Sequence, residues 1–147
     1  MPTLVGNIKI QIKAKLDALV TAGTLASVQE DDFSVGVLYR DFGKFPVAIL
    51  SGAAIGNSIL TNRDNLRAHT FNILILSKAE DVTSPDQVET LMENVINAFD
   101  NDPTLQGTAD GSVEPSTSSP EPVSSAGKNY IAFMVTVKAN AVKNLTY

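Results

Sequence analysis

Thr70-Phe71-Asn72-Ile73-Leu74-Ile75-Leu76, followed by Ser84-Pro85-Asp86-Gln87 and the apolar stripe behind it, decides the fold. Side chains of an extended chain alternate between faces, so Phe71, Ile73 and Ile75 share one side and Leu74 and Leu76 the other. Apolar residues on both sides predict a central strand over about 70–77, covered on both faces. Downstream, Ser84 stands where an N-cap belongs, Pro85 suits the first helical position, and Gln87 falls at the capping-box position. Val88, Leu91, Met92, Val95, Ile96 and Phe99 then recur at spacings of three and four, which predicts a helix over about 85–100 whose stripe covers the strand. Asp86 and Glu89 lie in its first turn, where the helix dipole favours anions. Asn101-Asp102-Pro103 stops it.

Working back toward the N-terminus, Ile8, Ile12, Leu16, Leu19 and Val20 predict an amphipathic helix over about 4–22. Lys9, Lys13, Lys15 and Asp17 take its other faces, Thr3 or Asn7 is its N-cap, and Gly23 ends it. Residues 25–29 alternate and read as a strand before the acidic turn Glu30-Asp31-Asp32. Phe33 to Phe45 reads either as a bulged strand or as a long loop, because Val35, Val37 and Tyr39 alternate while Gly36 and Gly43 loosen the run. A short apolar strand over 46–50 opens on Pro46, which suits an edge or strand-start position. Residues 51–68, rich in Gly, Ser and Asn, read as a loop.

Toward the C-terminus, about 107–128 turns to Ser, Thr, Pro and Gly and reads as an extended loop, with Pro115, Pro120 and Pro122 precluding a central strand. The part from Glu114 to Gly127 is expected to be mobile or ordered by a partner. Residues 130–139 alternate, with Ile131, Phe133, Val135 and Val137 forming the drier face of a last strand. The expected class is α+β. One domain over 1–147 holds a mixed, mainly antiparallel sheet packed against two amphipathic helices, with a long Pro/Ser-rich loop.

Composition narrows the function. Charged residues make up 18% of the chain, below the usual quarter, so much of the surface is neutral and suited to burial against partners. Net charge is −5, and the acids crowd between Lys78 and Pro122; without a basic stripe the chain is a poor binder of phosphate backbones. Cysteine is absent, which excludes disulfides, thiolate catalysis and Cys-based zinc sites. Lys9, Lys13 and Lys15 break up any signal-peptide core, and no run approaches the roughly 20 apolar residues of a membrane span. A soluble protein made in the cytoplasm, with no membrane partner, is expected.

Chemistry-bearing patterns are sparse. His69 is the lone histidine, with no Gly-x-Ser-x-Gly elbow to present a nucleophile to it. Ser51-Gly52-Ala53-Ala54-Ile55-Gly56 resembles part of a phosphate loop but lacks its lysine and following helix. Asp100, Asp102 and Asp110 fail as a calcium loop because Pro103 interrupts the ligand spacing and no Glu stands twelfth; a solvated helix terminus is expected instead. No enzymatic activity, cofactor or metal is therefore expected. The aromatics Phe33, Tyr39, Phe42 and Phe45 suit either core packing or a protein contact; Arg40 and Lys44 are thin support for a nucleic-acid groove. Candidate protein–protein interface residues are Tyr39, Arg40, Phe42, Phe45, Arg63, Arg67, Glu114 and Val123.

Four passages carry a resemblance: Thr70 to Leu76, then Ser84-Pro85-Asp86-Gln87-Val88-Glu89-Thr90-Leu91-Met92, then Asp102-Pro103-Thr104-Leu105-Gln106-Gly107, then Tyr130-Ile131-Ala132-Phe133-Met134-Val135. With Phe45-Pro46-Val47-Ala48, their order resembles the tail terminator (tail-completion) proteins of tailed bacteriophages over most of the chain. The resemblance implies a mixed sheet flanked by helices and a homohexameric ring that caps the tail tube. It implies as partners further copies of the chain, the major tail tube protein and a head-side connector or stopper, with location in the virion tail or neck and in host cytoplasm during assembly. DNA would pass through the lumen without sequence-specific binding, which the acids of 78–122 suit. The segment 114–127 or 33–45 is expected to carry the assembly contact. Another head–tail connector or stopper is an alternative, as is a small-ligand-binding regulatory domain with a closed apolar pocket. A hydrolase would need His69 beside a Ser or a carboxylate.

Overall fold

A computed structural model describes residues 4–30, 45–51, 54–59, 64–102, 105, 113–125 and 127–144. The ambiguous segment 33–44 lies outside the described residues. Helix α1 spans Leu4–Thr21 and buries Ile8, Ile12 and Leu16 completely. Asn7 sits inside this helix and is not its N-cap. Gly23 ends it at φ 83°, a left-handed conformation that costs glycine nothing. The Thr24 amide donates to the Leu19 carbonyl (2.9 Å) and the Gly23 amide to the Val20 carbonyl (3.1 Å), the paired bonds of a Schellman motif.

The described strands are β1 (Ser27–Glu30), β2 (Val47–Leu50), β3 (Ala54–Ile59), β4 (Asp64–Lys78), β5 (Glu114–Thr117), β6 (Glu121–Ser125) and β7 (Lys128–Asn144). A short 3-10 turn, Ala79–Asp81, follows β4 and leads to helix α2 (Pro85–Asp100). The sheet order is β1-β2-β4-β7-β5, with β3 also on β4 and β6 also on β7. Among the described strands β1 and β2 pair in parallel and the other pairs are antiparallel. The α+β class read from the sequence is the observed one.

Its spine is the β4–β7 pair, in register from Asp64↔Asn144 to Lys78↔Tyr130. Since β7 occupies one edge of β4 throughout, β2 and β3 share the other edge, β2 along 73–76 and β3 along 65–70. Within the loop expected over 51–68, residues 54–59 are instead a strand and 64–68 the first part of another. Beyond the residues that pair with β2, the β3–β4–β7 ladder runs on for about 20 Å as a three-stranded extension.

Within the loop expected over 107–128, residues 114–117 and 121–125 are instead strands: β5 and β6 line the outer edge of β7. Prolines fit there because an edge strand can leave every outward amide unbonded. Between the two strands Ser118 keeps the ladder going. Its amide donates to the Met134 carbonyl and its hydroxyl accepts from the Met134 amide, both at 2.9 Å.

Both helices pack on one face of the sheet. Phe71, Ile73, Ile75, Phe133, Val135 and Val137 meet the α1 residues above and Val88, Leu91, Val95 and Phe99 of α2. Burying each large side chain stabilises the fold by about 1.5–3 kcal/mol. Leu105 joins this core fully buried although its φ of 49° is unfavourable for a branched residue. Ser84 does precede α2, but its hydroxyl makes no capping bond; Gln87 Oε1 instead accepts from the Thr83 amide at 2.7 Å. Lys15 Nζ meets Asp102 Oδ2 at 2.9 Å and ties α1 to the end of α2, so Asp102 is buried where a solvated terminus was expected. No helix among the described residues is long and apolar enough to cross a membrane.

Candidate functional site

The opposite face of the sheet carries a smaller apolar cluster. Val47, Ile49, Leu76, Tyr130 and Ala132 are buried, with Phe45, Leu74 and Val123 packed against them. The pleat dictates this membership: Val47 faces Leu76 across β2–β4, Leu76 faces Ala132 across β4–β7, and Val123 faces Tyr130 across β6–β7. Phe45 stacks on Tyr130 with ring centroids 5.5 Å apart and planes at 29°. Lys78 Nζ lies 5.4 Å from the Phe45 ring centroid, within cation–π range. A hollow of about 300 Å³ includes Pro46, Val88 and Leu91 in its lining, and another of about 760 Å³ includes Lys128 and Asn129; Phe45 and Lys78 border both. Tyr130 is buried, so what the cluster leaves at the surface is part of Phe45, Leu74 and Val123 beside the Lys78 ammonium.

Of the residues expected at an interface, Phe45 and Val123 meet on this cluster. Arg67 is half-buried on β4 in the extension, and Glu114 is exposed at the start of β5 opposite Lys138; neither joins them. Tyr39, Arg40, Phe42 and Arg63 lie outside the described residues.

His69 is 1% exposed, and neither ring nitrogen has a hydrogen-bond partner. Burial first, and then the Arg67 guanidinium, hold its pKa below the ordinary 6.5. Among the described residues no Ser hydroxyl or carboxylate is bonded to it. Among the described residues no three His, Asp or Glu side chains converge as metal ligands.

Two surface residues escaped the sequence reading, Ile10 and Ile55, the large apolar side chains left exposed among the described residues. Ile10 falls off the buried stripe of α1, and that was a legible signal. Ile55 was hidden in what read as a glycine-rich loop. No protein-family model matches the chain, and no curated protein matches it.

Proposed function

We infer that this chain is a structural protein of a tailed bacteriophage, a tail terminator that forms a homohexameric ring. The ring caps the tail tube and joins it to the head-side connector. One observation carries the reading: three of the passages that resemble the terminator proteins contribute to a single packed core. Phe71, Ile73 and Ile75 of β4, Val88 to Phe99 of α2 and Phe133 to Val137 of β7 share one core. Surface chemistry adds support. The partly exposed Phe45, Leu74 and Val123 and the exposed Ile10 and Ile55 offer apolar anchors for partner proteins. Glu80, Asp81, Asp86, Glu89 and Glu93 are exposed on the 3-10 turn and α2, where they would repel DNA passing through a lumen.

The test is the mass of the purified protein in solution, alone and with a tail-tube protein. A hexamer, or a monomer that forms a ring on the tube, supports termination. A dimer that binds a small molecule and ignores the tube refutes it.

A further inference from the structure

Ile10 is 57% exposed and Ile55 is 54% exposed, and they stand on different elements. Ile55 on β3 pairs with His69, which pairs with Ala139 of the main core, so Ile55 lies on the helix-bearing face of the sheet. The burial is uneven across this level of the sheet: His69 and Ala139 are buried while Ile55 is open. Arg67 lies two residues along β4 from His69 and so on the same face, half-buried. The extension thus presents an apolar knob beside a guanidinium.

On the outer side of α1, Gly6, Ile10 and Ala14 are spaced by four and form one stripe. Gly6 and Ala14 leave room on either side of Ile10, and the hollow there measures about 540 Å³. Asp17 and Glu30 border it. Of its two lysines, Lys9 and Lys13, the second is engaged by Glu30 at 3.6 Å.

We propose that Ile55 of one copy seats in the Gly6–Ile10–Ala14 hollow of a second copy, with Arg67 directed at Asp17 of that copy. Knob and hollow are different surfaces of the same chain, so the contact is head-to-tail. Every copy then keeps one of each free until the ring closes. The proposal rests on the ring reading above and assigns it a contact.

Masses are read by light scattering, alone and on a tail-tube protein, for full-length wild type, Ile10→Asp and Ile55→Asp. Both positions are more than half exposed, and circular dichroism verifies that each variant folds. Each variant alone is expected to stay monomeric. Mixed in equal amounts they should give a one-to-one dimer and nothing larger, because one intact knob meets one intact hollow and the remaining pair is spoiled. The chain has no cysteine, so a variant carrying both Ile10→Cys and Ile55→Cys should give a ladder of disulfide-linked oligomers on oxidation. Either cysteine alone should give no ladder. Wild-type masses in both Asp variants would overturn this contact and leave the ring to another surface. Monomeric variants that fail to pair on mixing, under the condition in which wild type assembles, would overturn it too. A wild type that is monomeric both alone and with tube protein overturns contact and ring together.

Discussion

His69 is the costliest polar side chain in the described core. A buried group with no hydrogen-bond partner forfeits its hydration, a penalty of about 1–3 kcal/mol. Its lowered pKa gives that penalty a pH signature. Above the ordinary value of 6.5 the imidazole is neutral in both the folded and the unfolded chain and contributes no slope. As pH falls below it the unfolded chain takes up a proton that the folded chain refuses, so stability falls, levelling off below the folded value. His69 is the only histidine, so stability should decline between about pH 7 and pH 5.5 in wild type and much less in His69→Leu. The leucine variant should also be more stable at pH 7, by about 1 kcal/mol. Urea unfolding across pH measures both; parallel curves would acquit the histidine. Gly23 is the second residue whose identity matters singly. No atom lies within 4 Å of a Cβ built there, so Gly23→Ala meets backbone strain alone. The cost should be about 1 kcal/mol, seen as a thermal midpoint lower by about 2–4 °C.

Among the elements, α2 holds the fold most directly, since Val88, Leu91, Val95 and Phe99 all reach the main core. Phe99→Ala should cost about 3–5 kcal/mol, whereas Glu93→Ala on the exposed side should stay within about 0.5 kcal/mol. Equal effects in chemical denaturation would contradict the assigned face. That stripe and the alternation of 130–139 were legible because a surface helix and a half-buried strand must segregate apolar residues. Where burial stops, the signal stops. β4 begins at Asp64, six residues before the expected start, because Asp64-Asn65-Leu66-Arg67-Ala68 lacks the apolar alternation that marks the strand from Thr70 onward. β5 and β6 were hidden by their prolines, which rule out a central strand and leave an edge strand untouched. The site was legible only in part. Phe45 was picked from a loosely patterned aromatic segment and Val123 from the Pro/Ser-rich one, yet what unites them is Tyr130, far from Phe45 in the chain and across the β6–β7 hairpin from Val123.

At the scale of the whole molecule, the two margins of the spine differ in a way that bears on assembly. Along β7, the edge made by β5 and β6 carries Pro115 and Pro122 with Glu114 and Glu121, features that discourage another strand from adding on. Along β4, β3 reads Ala-Ile-Gly-Asn-Ser-Ile, without charge or proline. The guarded margin is thus better suited to protecting the sheet than to joining copies, and the contact proposed above uses the extension instead. Deleting residues 115–126 separates the alternatives. If the segment were a docking loop, its loss would leave the melting curve unchanged and abolish binding to partners. As edge strands, its loss strips β7 of its ladder over most of 130–138 and takes Val123 from the cluster with Tyr130. The midpoint should then fall by more than about 5 °C, and the variant should form irregular aggregates through the bared edge at concentrations where the parent protein is monodisperse. Calorimetry and light scattering on the same samples read both effects. An unchanged midpoint with clean loss of partner binding would return the contact to the 114–127 segment.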